Sequence, residues 1–328
     1  MRVLLSLLLL MASLALPAMD AIFLKGITVS CQGSGRIWGT DAFADELDRL
    51  LKLGSNSVTI HPYARIQADG NVSWRGWMDS NPPEYIVRPI REAHRRGMKI
   101  MIKPHLAYWG SPFSWRGDIR FDDPEATKRF YETYTKWIVD LARITSNADI
   151  FVVGTELRHM TGDQEQWRHI IEAIRKVSSA QLTYAANWDH FENVPFWDAL
   201  DLIGVQGYFP ITREPNPDIA ALEKGWQPVL SQLKRVHRRV NRPIVFTEFG
   251  YNRSLKTAAE PWRYQQDTEI AAEHLQARCL EVGLKILGEE HAWFRGAFLW
   301  KWFAGPAPYA NFYLDTPMLR QVITEAWR

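Results

Sequence analysis

The chain has 328 residues, 46% hydrophobic and 23% charged, and a formal net charge of +2, a composition ordinary for a globular protein. That charge argues against a nucleic-acid partner, because phosphate binding needs a concentrated basic surface; the basic piece KRVHRR at 234–239 falls in a helical pattern and reads as a solvated face. Only Cys31 and Cys279 are present, too few for a zinc framework, and their places at a strand end and in mid-helix make both read as free and buried.

In chain order, residues 1–21 come first as a targeting segment. Arg2 precedes a 14-residue apolar run, VLLSLLLLMASLAL at 3–16, followed by the small residues Ala18 and Ala21. The run is too short to span a bilayer and reads as a secretory signal peptide cut between 18 and 21. A secreted or periplasmic protein with no stable membrane insertion is expected. With no cysteine at the cleavage point, a lipid anchor is not expected.

Residues 22–328 then alternate strand and helix patterns with no linker or low-complexity break. Strands are predicted at 23–30, 57–63, 99–106, 149–157, 181–188, 200–208, 242–251 and 295–303. Their apolar runs are nearly continuous, as parallel strands covered on both faces require. Between them lie amphipathic helices. Thr40 is placed to cap one carrying Phe43, Leu47, Leu50 and Leu51, with Gly54 as its stop. Pro124 opens another with Phe130, Tyr134, Trp137, Ile138 and Leu141 on one face, and Trp167, Ile170, Ile171, Ile174 and Val177 repeat the spacing. Eight such units point to an α/β protein, a single-domain (β/α)8 TIM barrel. A doubly wound open sheet is the rival, but it gives no reason for eight units or for polar residues at every strand's end.

Those ends carry the chemistry, because a barrel of this kind places its active site at the C-terminal ends of its strands. They hold His61 and Tyr63, Lys103 and His105, Glu156, Asn187 and Trp188, Gln206 and Tyr208, Glu248 and Tyr251, and Trp300 and Trp302. Charges are almost never fully buried unless paired, yet two glutamates end buried strands four and seven, facing one pocket. Two carboxylates across a pocket suit glycoside hydrolysis. One gives a proton to the leaving oxygen, and the other attacks the anomeric carbon when the two lie about 5–5.5 Å apart. Nearby cations and a hydrogen bond from Tyr208 would keep Glu248 ionised, and a less polar setting would raise the acid's pKa. Among the 15 Trp, most read as core, Trp137 and Trp167 included. Trp300 reads as the ring under the sugar at the cleavage point. Lys103, His105, Trp115, Arg116, His61, Asn187 and Trp188 read as hydroxyl-binding or wall residues, and His159 as a helix start. A metal-dependent hydrolase built on His61 and His105 lacks the closely spaced histidine pairs that zinc favours. A carbohydrate-binding pseudoenzyme would have lost a carboxylate. No cofactor or metal is expected, the partner is a polysaccharide or oligosaccharide, and the protein is expected to be a monomer.

The ordered motifs KPH (103–105), WRGDI (115–119), GTEL (154–157), YAANWD (184–189), IGVQGYFP (203–210) and TEFGY (247–251) resemble glycoside hydrolase family 113, of the clan A retaining glycosidases. The resemblance runs from about residue 24 to 303. It implies a β-mannanase-like activity with Glu156 as acid/base and Glu248 as nucleophile. A glucan or an amino-sugar polymer is the alternative substrate. One position departs from the clan, which usually places an asparagine before its acid/base to contact the sugar's 2-hydroxyl; here it is Thr155.

Overall fold

In the computed structural model, which describes residues 22–74 and 81–328, parallel strands close on themselves. The signal-peptide reading of 1–21 lies outside the described residues. The strands are β1 (Leu24–Ser30), β2 (Ser57–Ile60), β3 (Tyr63–Ile66), β4 (Val72–Ser73), β5 (Lys99–Ile102), β6 (His105–Ala107), β7 (Ile150–Thr155), β8 (Gln181–Asn187), β9 (Ile203–Gln206), β10 (Ile244–Phe249) and β11 (Phe294–Phe303). The helices are α1 (Asp41–Lys52), α2 (Glu84–Arg95), α3 (Pro124–Ile144), α4 (Gln164–Arg175), α5 (Ile219–Val240), α6 (Ile270–Gly288) and α7 (Pro317–Trp327). The barrel runs β1-β11-β10-β9-β8-β7-β5-β2. It closes through β1 and β11, from Leu24 opposite Gly296 to Ser30 opposite Phe303. Closure removes the open-sheet alternative, since each barrel strand neighbours its sequence predecessor and successor.

Two of the predicted strands end early. Beyond β2 and β5 come Pro62 and Pro104, which have no N–H to donate to a ladder. Past them the chain resumes as β3 and β6, paired from Tyr63 opposite His105, and with β4 they form a separate three-stranded sheet. The prolines thus divide each predicted strand between barrel and rim.

Packing follows the two faces of the barrel wall. A cluster of Leu24, Met101, Ile150, Val152, Ala185, Leu202, Val245 and Phe298 draws on strands all round and fills the interior. At Gly26 an added Cβ would lie 2.3 Å from the Phe298 ring, so only glycine leaves that ring its place. The larger cluster lies between strands and helices and includes Trp137 and Trp167, both fully buried. On α3, Asp123 accepts from the Glu125 amide at 3.0 Å and Pro124 takes the first turn. On α4, Asp163 caps the Gln166 amide, while Val177 lies past the helix end. Thr40 does not cap α1. It follows a short 3-10 turn at Arg36–Gly39, and its hydroxyl donates back to the Ile37 carbonyl at 2.7 Å. Cys279 is buried, but Cys31 is only half-buried, at the barrel mouth, with its thiol pushed up to about 12 chiefly by burial. Among the described residues no helix is long and apolar enough to cross a membrane.

Candidate active site

The fourth and seventh barrel strands are β7 and β10, and their glutamates lie on one cleft of about 1070 Å³ at the C-terminal mouth. Glu156 follows β7 with φ at 58°, in the left-handed region that non-glycine residues rarely enter. Its amide donates to the Ala185 carbonyl of β8 at 2.9 Å, which anchors the turn. The residue before it, Thr155, is buried, donates its hydroxyl to the Pro104 carbonyl at 2.9 Å and does not line the cleft. Glu248 is only 4% exposed.

The two carboxylates have different surroundings. Glu248 Oε1 accepts from Lys103 Nζ, and Oε2 accepts from the Tyr208 hydroxyl at 2.6 Å. His105 Nε2 stands 3.8 Å from Oε1. Burial and the Glu248 charge push the Tyr208 phenol well above its ordinary value, so it remains a donor. Glu156 Oε2 accepts from Arg116 Nη2 at 2.7 Å and Nε at 3.1 Å. Burial acts to raise the Glu156 carboxyl, but the Arg116 and Lys103 charges, with hydrogen bonds from Arg116 and Gln206, hold it below the ordinary glutamate value. The raised acid expected from the sequence is therefore not found, because Arg116 pairs with it.

Gln206 joins the two halves. Its Nε2 donates to Glu156 Oε1 at 3.3 Å, and its Oε1 accepts from Lys103 Nζ at 3.3 Å and from Thr247 Oγ1 at 3.0 Å. A primary amide offers donors on one side and an acceptor on the other, so one side chain can orient a carboxylate and a cation together.

Around this pair the cleft is lined by His105, Trp115, Arg116, Asn187, Trp188, Tyr208 and Trp300, as the sequence suggests. Gly117 makes room for Trp115, since a Cβ there would lie 1.9 Å from its ring. Two expected wall residues do not line the cleft. Lys103 is fully buried and spends its donors on Glu248, Gln206 and the Thr247 carbonyl. His61 is 1% exposed, bonded to Ser30 Oγ at 3.1 Å and walled in by His105, Trp38, Tyr63 and Trp300. Both act behind the wall. Trp302 also turns away, donating to Glu46 on α1 at 2.7 Å. His159 sits exposed on a 3-10 turn rather than starting an α-helix.

Sequence reasoning missed several cleft residues. Trp262 stacks on Trp188 at 5.1 Å and 29° and is 44% exposed, and Tyr264 and Tyr309 continue that wall. Trp109 lies beside Tyr108 on the opposite side. Aromatics in a polar segment without helical period, such as PWRY at 261–264, were the available sign. For Lys301 there was none, because strand alternation assigns 300 and 301 to opposite faces, yet both line the cleft.

Known proteins agree with this architecture. A family 113 β-mannanase from Alicyclobacillus acidocaldarius, solved in complex with ManMIm, superposes with a TM-score of 0.80 at 25% identity, over 94% of this chain and 98% of that one. A family 113 β-1,4-mannanase gives 0.79 at 22% identity, over 93% and 99%. A family 5 mannosidase from Rhizomucor miehei gives 0.59 at 12% identity, over 94% and 95%, a likeness of fold alone. No curated protein matches the chain significantly. The model of Glycoside Hydrolase Family 113 matches residues 27–311, most of the chain, and the chain is accordingly a glycoside hydrolase belonging to that family.

Proposed function

We propose that the protein is an exported, monomeric hydrolase of β-1,4-linked mannose chains that retains anomeric configuration, with Glu248 as nucleophile and Glu156 as acid/base. The observation that carries this reading is the unlike pairing of the two carboxylates. Glu248 is fixed from both sides, by Lys103 on one oxygen and Tyr208 on the other. Glu156 keeps its Oε1 bonded only to Gln206 at 3.3 Å among the described residues, beside the open cleft. A carboxylate fixed at both oxygens by a cation and a phenol suits attack, and one whose Oε1 meets only an amide suits proton traffic. The mannanase likeness narrows the substrate class.

In the first step a Glu248 oxygen bonds the anomeric carbon while the bond to the leaving oxygen breaks and Glu156 gives that oxygen its proton. In the second, Glu156 takes a proton from water, the water oxygen bonds the same carbon, and the bond to Glu248 breaks. Two inversions give retention. The Arg116 and Lys103 charges favour the ionised form of Glu156, which suits the second step. For the first it must gain a proton as substrate enters, and exclusion of water by the sugar strengthens the burial effect that raises it.

Purified protein should release mannose or mannooligosaccharides from β-1,4-mannan, with the β-anomer appearing first by NMR. Hydrolysis of a glucan or an amino-sugar polymer, with none of mannan, would overturn the substrate. First appearance of the α-anomer would overturn the mechanism. Cleavage between 18 and 21 is checked by the N-terminal sequence of protein recovered from the medium or periplasm.

A further inference from the structure

Two cations on the cleft, and Lys103 behind its wall, have carboxylate partners. Lys103 pairs with Glu248, Arg116 with Glu156 at 2.7 Å, and Arg158 with Asp189 at 2.6 Å. Lys301 also lines the cleft, and no described residue brings it an anion. It is only 4% exposed. Its Nζ donates to the Tyr309 hydroxyl at 2.8 Å and is otherwise ringed by aromatics: Trp300 at 4.7 Å, Tyr309 at 4.8 Å, Phe303 at 5.4 Å and Tyr264 at 5.9 Å to the ring centres.

Ring faces offset part of the cost of taking an ammonium out of water, but they supply no net negative charge. An ammonium also has three donors, and Tyr309 accepts one. The Tyr309 oxygen accepts from Lys301 and its hydroxyl also hydrogen-bonds Tyr264, and whichever of the two phenols donates in that pair, the other keeps a proton to offer. Two donors thus stand together, one of them charged, beside the Trp300 ring. A carboxylate has two acceptor oxygens and the missing charge. A neutral hydroxyl satisfies a donor and leaves the charge unbalanced.

We propose that Lys301, with Tyr309, is a seat for a sugar carboxylate, so that the cleft favours a β-linked chain bearing uronate units over a wholly neutral one. The inference rests on the reading of this cleft as a glycosidase site and names a feature of its substrate. The Trp300 ring places the carboxylate on the sugar stacked there or on its neighbour.

The test is calorimetric titration of the full chain with β-1,4-mannotriose, with the corresponding β-1,4-mannuronotriose, and with free glucuronate. The trimer carries the carboxylate in the backbone, and glucuronate represents it as a terminal or branch unit. At least one acidic ligand should bind 10-fold or more tightly than its neutral counterpart (mannotriose for the trimer, glucose for glucuronate). Raising the salt should erode that preference. Lys301→Met should weaken the favoured acidic ligand at least 10-fold more than its neutral counterpart, and Lys301→Arg should keep the preference. Neutral ligands binding as tightly as acidic ones would overturn the proposal. So would Lys301→Met weakening both equally, which would make the lysine a packing group or a hydroxyl donor. The readout needs no turnover. Retaining hydrolysis of mannan without acid preference sinks this inference alone, and acid preference without mannan hydrolysis sinks only the neutral-mannan reading.

Discussion

Lys103, with no exposed surface and its ammonium on Glu248, does its work through another residue. Lys103→Met would leave a buried carboxylate without its counter-charge, and kcat should fall about 10²–10³-fold, the usual effect of deleting one fixed electrostatic group, with less change in KM. A loss confined to KM would return Lys103 to the substrate wall. Glu248→Ala should abolish turnover while leaving binding to the aromatic walls. A variant keeping more than a few per cent of activity would sink that assignment. Arg116 gives a test with a sign. Its charge holds the Glu156 carboxyl below the ordinary glutamate value, and kcat/KM reports the free enzyme, whose acid must be protonated. The alkaline limb of kcat/KM should therefore lie low in pH, and Arg116→Met should move it upward; an unmoved limb would take the acid role away from Glu156. The shared cleft of the two glutamates was legible in the sequence because a pair of them at strand ends with aromatic neighbours is hard to explain as structural salt bridges. The bridging place of Gln206 was not, since a buried amide at a strand end looks the same whether it links a carboxylate to a cation or fills space.

Elements were legible where periodicity and stop residues agreed, and they failed where a hydrogen bond had two possible partners. Asp123 and Thr40 both precede helices, but only Asp123 bonds an amide of the first turn; Thr40 is taken by the Ile37 carbonyl. Asp123→Ala should cost about 1 kcal/mol, the common effect of losing a side-chain cap, and Thr40→Ala clearly less. Urea unfolding of both variants measures the difference, and equal losses would show that the cap bond is not the cause. Pro62 and Pro104 illustrate a second limit. Apolar pattern carried both predicted strands through the prolines, but a residue without an N–H cannot continue a ladder. The chain pairs again beyond them in the small sheet that carries Tyr63 and His105. At β3 and β6, then, the rim of the site is a different sheet from the barrel that supports it.

At the scale of the whole molecule, eight repeated units sufficed to specify a closed barrel, with one interior cluster drawn from strands around it. What repetition could not reveal is the cost of collecting cations and imidazoles at one mouth. His61 and His105 are held well below the ordinary histidine value of 6.5, first by burial and then by charges that include Lys103, Arg116 and Lys301. In the unfolded chain each takes a proton near pH 6.5, whereas in the folded one each stays neutral far below it. Over that interval the unfolded state binds more protons, so acid favours unfolding. The stability they contribute is fully present above about pH 6.5 and is lost as pH falls. With both imidazoles charged only when unfolded, the slope approaches about 2.7 kcal/mol per pH unit. Glu156, held low, adds a loss in the same direction once pH falls below its ordinary value of 4.5. Unfolding free energy measured in urea at pH 7, 6 and 5 should therefore drop steeply below pH 6.5. His61→Gln removes one of these titrating groups and should lower the slope between pH 6 and pH 5 by about 1.4 kcal/mol per pH unit, even if it lowers stability at pH 7. A flat profile from pH 7 to 5, or an unaltered slope in that variant, would mean that the buried imidazoles already accept protons in the folded barrel.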